Sequence, residues 1–190
     1  MPRGGKAYSA VKRCMVIDDV PKNGLRELCA LKYYQNKGPQ ITLQKPTAAD
    51  SIYRVNTSIA QPRFAVDGST EPNVYKQSCF HSDNNVPSWW IVDLLRDYTI
   101  VEVKITNRDR FSYRLSNFTV DIFSGSQDPR TITNWPMNFG AVCHHQRVED
   151  GHLGASETRT LTCNSPTSGR YVRVVKYSLE PLTICEVGYL

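Results

Sequence analysis

The sequence predicts an all-β protein, an antiparallel sandwich or jelly roll, preceded by a short N-terminal extension that is partly helical and stapled by a disulfide. Three observations carry this reading. Apolar and polar residues alternate with a period of two over several short runs beyond residue 40. Eleven prolines and eleven glycines are scattered through the 190 residues, as suits short strands joined by turns. Ahead of those runs lies a single stretch with helical spacing and two cysteines, Cys14 and Cys29.

Taken in order, residues 1–13 carry Arg3, Lys6, Lys12 and Arg13 without the apolar core of a signal peptide, and are expected to be disordered. In residues 14–40, the run from Leu25 to Tyr34 is good helix material, with Leu25, Leu28 and Cys29 on one face. Lys37-Gly38-Pro39 ends that unit, which reads equally as the tail of an upstream domain or as a cap on the main one. Residues 41–190 form the main domain. Trp89 to Leu94 reads as a buried strand, with at least one of Trp89 and Trp90 filling the core. Ile100 to Ile105 alternates on Val101, Val103 and Ile105. Phe118, Val120 and Ile122 alternate against Asn117, Thr119 and Asp121. Arg170 to Val175 and Thr183 to Tyr189 supply two further runs. The segments Gly68–Pro87 and Ser124–Gly154 read as long loops, and long loops on a rigid sandwich are where binding usually resides.

Composition narrows the function. Lys and Arg total 23 against 18 Asp and Glu, a net charge of +5 that names no acidic partner, and no basic face or motif supports nucleic-acid binding. No segment approaches the ~20 apolar residues of a membrane span. Six well-spaced cysteines without a C-x-x-C pair read as a disulfide framework from an oxidising, extracellular compartment. Asn56-Thr57-Ser58 and Asn117-Phe118-Thr119 make Asn56 and Asn117 glycosylation candidates. His144, His145 and His152 cluster near Cys143 but lack zinc-ligand spacing. No nucleophile–base pair, paired carboxylates or phosphate loop supports an enzyme. What stands out is a polar constellation: His81 two residues after Cys79, then Arg108-Asp109, then Arg114. Guanidinium forks and an imidazole are the donors and acceptors that suit a small neutral ligand covered in hydroxyls, a sugar that is recognised and not transformed.

Those residues sit within a longer match. Ala65-Val-Asp-Gly68, Ser78-Cys-Phe-His81, Pro87-Ser-Trp-Trp-Ile-Val-Asp-Leu94, Ile105-Thr-Asn-Arg108, Arg114-Leu-Ser-Asn-Phe118, Gly169-Arg-Tyr-Val172 and Leu182-Thr-Ile-Cys-Glu-Val187 come in the order of the F-type lectins, or fucolectins. Residues from about Ile41 to Leu190 resemble that family, whose fold is a discoidin-like jelly roll. The resemblance implies that His81, Arg108 and Arg114 hydrogen-bond L-fucose while Asp109 positions the arginines by charge-assisted pairing. It implies an apolar wall for the sugar's methyl group, for which Tyr75, Val74 and Ile52 are candidates. The chain departs from the family pattern at one place. Arg108 and Asp109 are adjacent, so a one-residue spacer is missing, and the positions of a frequent cysteine pair read Arg110-Phe111. Phe111 is expected to replace that apolar contact. Glycine is also usual where Leu95 stands, which bears on a turn.

The resemblance further implies a structural calcium ion, with side chains of Asp67, Ser78 and Glu186 and backbone oxygens near Phe64, Ser69 and Cys185 as its oxygen shell. It selects, from the 15 pairings that six cysteines allow, Cys79–Cys185 and Cys143–Cys163, leaving Cys14–Cys29 as a local pair. The expected function is a secreted lectin for terminal L-fucose on glycans and glycoproteins. Multivalency serves such lectins, so a homo-oligomer is allowed, although no coiled coil is visible. The alternative is a discoidin-like adhesion or scaffolding module with a degenerate sugar site, binding protein or phospholipid.

Overall fold

In the computed structural model the described residues are 40–53, 60–131 and 140–188. The expected disorder of residues 1–13, the helix near Leu25, the Cys14–Cys29 pair and the sequon at Asn56 lie outside them. The described residues form eight strands: β1 (Thr47–Ala49), β2 (Phe80–His81), β3 (Ser88–Thr106), β4 (Phe118–Phe123), β5 (Ala141–Gln146), β6 (Thr158–Lys176), β7 (Thr183–Ile184) and β8 (Glu186–Gly188). All pairings are antiparallel. One sheet runs β1-β3-β6-β4-β5, with β8 on the far half of β3, and β2 pairs with β7 in a separate ribbon. Among the described residues the only helical pieces are short 3-10 turns, and no helix is long and apolar enough to cross a membrane.

The two runs Trp89–Leu94 and Ile100–Ile105, expected as separate strands, are the halves of one bent strand, β3. Its register against β6 breaks between Asp93 and Tyr98, where Leu95 adopts φ 71° and its N–H donates to Asp93 Oδ1 at 2.8 Å. A bulge of this kind bends a strand, so both halves of β3 feed one core. That core takes Trp90, Val92 and Leu94 from the first half and Ile100, Val103 and Ile105 from the second. The buried Trp90 indole N–H donates to the Pro62 carbonyl at 2.9 Å, so its one polar group is satisfied.

β6 is far longer than the run Arg170–Val175 suggested, because its first half, Thr158 to Ser168, is mostly threonine, serine and other polar residues. Only Leu161 and Cys163 face the core there, and pairing with β3 decides the strand. Gly169 marks the closest approach. A Cβ there would lie 2.5 Å from Ile122 Cγ2 and from the Phe123 carbonyl oxygen. The stretch Ser124–Gly154, read as a loop, contains β5, whose signal is weak because only Cys143 and Gln146 are buried. The disulfides Cys79–Cys185 and Cys143–Cys163 both form; the first joins residues 106 apart and ties the segment leading into β2 to the last strands.

β4 alternates as expected, but both of its faces are buried. Phe118, Val120 and Ile122 enter the main core, while Phe123 packs with Ile91 and Tyr171 on the opposite face. On that second face Asp121 lies in register with Arg173, which donates to Asp121 Oδ2 through both Nε and Nη2, the Nε distance being 3.1 Å. The guanidinium also covers the Phe123 ring at 4.7 Å. Burial pushes the Asp121 carboxyl upward and the Arg173 charge opposes that shift, so the pair stands or falls together. Asp121→Ala strips a buried cation of its carboxylate and is expected to cost about 3–5 kcal/mol in urea unfolding. A loss below about 1 kcal/mol would show that the pair is solvated.

Candidate functional site

The site is built from two short segments that the sheet holds side by side. The first carries His81. Its backbone is pinned on three sides: β2 pairs with β7 opposite Thr183, the His81 N–H donates to the Ala60 carbonyl at 3.3 Å, and its carbonyl accepts from Tyr53 N–H at 2.9 Å. Cys79, two residues earlier, is fixed to Cys185. The His81 ring is 6% exposed, and its Nδ1 lies 2.7 Å from the Ser82 carbonyl oxygen. A carbonyl only accepts, so Nδ1 carries the proton and Nε2 presents a bare lone pair. Burial lowers the pKa to about 4; the charges of Arg108 and Arg114 push the same way, against the Ser82 hydrogen bond. The ring is therefore neutral at pH 7 and serves as an acceptor.

The second segment follows the end of β3. Asn107, which is buried, donates through Nδ2 to the carbonyls of Ser112 at 3.0 Å, Leu153 at 2.8 Å and Gly154 at 3.1 Å. Its own N–H donates to the Glu157 carbonyl at 2.8 Å, and the next carbonyl, that of Arg108, accepts from Ser156 N–H at 3.0 Å. One amide thus fixes the loop from Arg108 to Leu115 against the loop before β6. Phe111 turns that loop with φ 55° and leads into a 3-10 turn over Ser112–Arg114.

The result is that both guanidinium groups stand over one ring. The Arg114 guanidinium carbon is 4.6 Å from the Phe111 centroid, and that of Arg108 is 5.5 Å away. Arg108 is 5% exposed, with Nε and Nη1 buried and without a hydrogen-bond partner among the described residues; Arg114 Nε is in the same state. Burial, and after it the charge of Arg114, works against the Arg108 charge. Leaving such donors unpaired is costly, and a bound polar ligand is what removes the cost.

The expected roles divide as follows. His81, Arg108, Arg114 and Phe111 come together, and the missing spacer leaves Arg108 among them. Asp109 does not pair as expected: among the described residues it makes no ion pair with either arginine, and it acts on Arg108 only through space. It directly follows Arg108 and lies in a bend of the loop. Its N–H instead ties the loop to the Pro72 carbonyl at 3.0 Å. Tyr75, 74% exposed, is close enough for its charge state to bear on Arg108. Val74 is buried against the Cys79–Cys185 disulfide and offers no wall to a ligand. Ile52 is half-buried, and the ring set against His81 is that of its neighbour Tyr53, with centroids 4.8 Å apart and planes at 32°. Sequence reasoning missed Tyr53 and Asn107. Asn107 left a trace, its place in the Ile105-Thr-Asn-Arg108 match, whereas Tyr53 left none. Asn117, the second glycosylation candidate, enters β4 half-buried at φ 48°.

Beside the Cys79–Cys185 bond, Asp67 and Glu186 approach each other. Glu186 is buried, accepts from Gly68 N–H at 3.2 Å and from Gln40 Nε2, and has its pKa raised to about 8, first by burial and also by the Asp67 charge. Asp67 Oδ1 accepts from Ser69 N–H at 2.7 Å, and burial raises its pKa too. Ser78 Oγ donates to the Asn73 carbonyl at 2.9 Å. Two neighbouring carboxylates with no cationic side chain between them fit a divalent cation. Among the described residues no third acidic, histidine or cysteine side chain completes such a cluster, so the rest of a shell here would be carbonyl and hydroxyl oxygen, which is the preference of calcium.

The chain is similar to several known proteins. The family model of the NedA-like, galactose-binding domain matches residues 64–174. Fucolectin-1 of Anguilla japonica is 34% identical over 170 residues, covering 89% of this chain and 83% of that protein. Fucolectin of Anguilla anguilla is 36% identical over 144 residues, covering 75% of this chain and 84% of that protein. Among solved structures, the F-lectin (fucolectin) of striped bass serum, Morone saxatilis, superposes with a TM-score of 0.65 at 25% identity. That match covers 80% of this chain and 46% of the longer bass chain. A fucose binding module of Streptococcus pneumoniae gives a TM-score of 0.62 at 30% identity, covering 78% of this chain and 92% of that one.

Asn107→Ala removes the amide's bonds to the Ser112, Leu153 and Gly154 carbonyls, of which the first and last keep backbone donors in Leu115 and Glu157, and is expected to lower stability by about 1–3 kcal/mol. Hydrogen exchange should quicken across residues 108–115 while β3 and β6 keep their protection. Unchanged exchange in that loop would remove Asn107 from its role.

Proposed function

The chain belongs to the fucolectin, or F-type lectin, family, and from that footing we propose that it is a carbohydrate-binding protein that holds terminal L-fucose of glycans at His81, Arg108 and Arg114. One observation carries the proposal: buried guanidinium N–H groups without partners stand beside a neutral imidazole with a free lone pair. A sugar hydroxyl both donates and accepts. In this reading a fucose hydroxyl donates to His81 Nε2, and the sugar oxygens accept from Arg108 and Arg114. The methyl group and the CH-rich face of the ring lie against Phe111 and Tyr75, both of which are exposed. Relatives are named as fucolectins and structural neighbours as a fucolectin and a fucose binding module. Binding without turnover is the activity they support.

The alternative, an adhesion module with a degenerate sugar site, drew on the adjacency of Arg108 and Asp109. That adjacency leaves Arg108 buried next to Arg114 and His81, which favours the lectin. A secreted, extracellular setting belongs to the same reading and is supported by the two disulfides. So does a structural calcium ion, with Asp67, Ser78 and Glu186 as side-chain ligands and carbonyls of Phe64, Ser69 and Cys185 as further donors. When bound, it supplies positive charge to two carboxylates that otherwise repel.

Titration calorimetry with methyl α-L-fucoside tests the site. His81→Ala is expected to weaken binding by at least about 30-fold, or about 2 kcal/mol, and unchanged affinity would remove His81 from it. The working form is the neutral ring, whose pKa of about 4 lies below the ordinary 6.5, so affinity should hold from pH 8 to pH 5.5 and fall as pH drops through about 4. Stability moves in the same direction. The unfolded chain takes up this proton near pH 6.5 and the folded chain only near 4, so stability is lost as pH falls across that interval. For the metal, calcium is expected to raise the Tm of the protein at millimolar concentration, and Glu186→Gln should remove that rise. A rise of the same size in the variant would exclude Glu186 as a ligand.

A further inference from the structure

The cationic groups of the site are not neutralised by its own acids. Three glutamates are engaged by other cations, while Asp83 acts on His81 and Asp109 on Arg108 through space alone. Glu71 pairs with Lys76 at 2.7 Å, Glu157 with Arg159 at 2.6 Å, and Glu180 with Lys176 at 3.4 Å. Asp109 pairs with neither arginine of the site. Behind Arg114 lies the fully buried Lys176 ammonium, which feels the Arg114 charge as repulsion. Arg110 adds an exposed cation to the same loop. Phe111 offers the two guanidiniums a π face, which leaves their N–H edges for something else. Arg108, nine-tenths buried with two bare N–H groups, is an unanswered donor whose charge is met only through space, by Asp109.

A neutral hydroxyl answers the donor but not the charge. An anionic oxygen answers both, and charge-assisted bonds to guanidinium are roughly twice as strong as neutral ones. We propose that the preferred ligand of this site is an acidic fucoside, a fucose that bears, or is linked to a sugar that bears, a sulfate ester or carboxylate whose oxygens are held by the Arg108 and Arg114 guanidiniums. The inference rests on the fucose reading and deepens it. Asp109, the one acid in that loop, forms no ion pair with Arg108 or Arg114 among the described residues, and this is the feature of the chain that produces it. His81, being neutral, adds no charge and keeps its task of accepting a hydroxyl proton.

Calorimetry on the intact protein at about 20 mM salt compares methyl α-L-fucoside with its 2-, 3- and 4-O-sulfates and with a fucosyl-glucuronic acid disaccharide; the Debye length there is about 20 Å. At least one acidic ligand is expected to bind about tenfold tighter than the neutral fucoside, and the sulfate and carboxylate arms show which anion it is. That advantage should shrink several-fold at about 300 mM salt, while neutral fucoside affinity stays level. Arg108→Gln should erase the advantage. Should that variant misfold, the salt series on the unaltered protein still decides. Neutral fucoside bound as tightly as every acidic form would overturn the inference and leave the fucose reading standing. Failure of all the ligands, neutral and acidic, would overturn both.

Discussion

The binding face of this protein depends on a side chain that need touch no ligand. The Asn107 amide gathers three carbonyls from two loops, and everything that turns Arg108, Phe111 and Arg114 toward His81 follows from that clamp. An amide suits the place because its N–H groups can reach carbonyls of two loops at once, and a buried carbonyl such as that of Leu153 is expensive to leave unpaired. β3 delivers Asn107 to that position. Its bulge at Leu95 carries the strand around the core, and the strand ends just before the amide. On the other side, the Cys79–Cys185 bond and the β2–β7 ribbon hold His81 still. A ligand at the proposed site would meet donors and an acceptor whose ordering cost is met by folding.

Two buried arginines in this molecule show opposite solutions to one problem. Arg173 is enclosed in the sheet with Asp121 in register beside it, and its charge is balanced by the fold. Arg108 is almost as deeply enclosed, yet among the described residues no ion pair forms with it, and Asp109 supports its charge only through space. The first arrangement stabilises a structure. The second makes sense as stored demand for a partner, since a buried, unpaired cation costs more than any ordinary surface contact returns. Asp67 and Glu186 mirror it with the opposite sign. They are neighbouring carboxylates without an ion pair among the described residues, and the Glu186 pKa is raised first by burial and then by the Asp67 charge.

Much of this was legible in the chain. The alternation of Phe118, Val120 and Ile122 marked β4, and the run Trp89 to Leu94 marked a strand of the core. The likeness of short, ordered stretches to the fucolectins picked His81, Arg108 and Arg114 from among 23 basic residues and four histidines. It also selected two cysteine pairs that no spacing rule distinguishes. Other elements were silent for definite reasons. β5 buries two of its six residues, so it lacks a period to read. The outer half of β6 is polar because it pairs along an exposed flank. Tyr53 meets His81 across 28 positions of sequence, a contact without local signature.

By itself, the sequence determined which chemistry was available: imidazole and guanidinium groups among short strands, with cysteines to hold loops in place. It could do so because side-chain identity and two-residue periodicity are local properties. Tertiary structure alone decided which of those groups share a ring, which carboxylates are already paired, and that Asp109 forms no ion pair with the arginine it follows. Those outcomes depend on burial and on distances between segments far apart in the chain, and the energy of a charge is set by its surroundings in space.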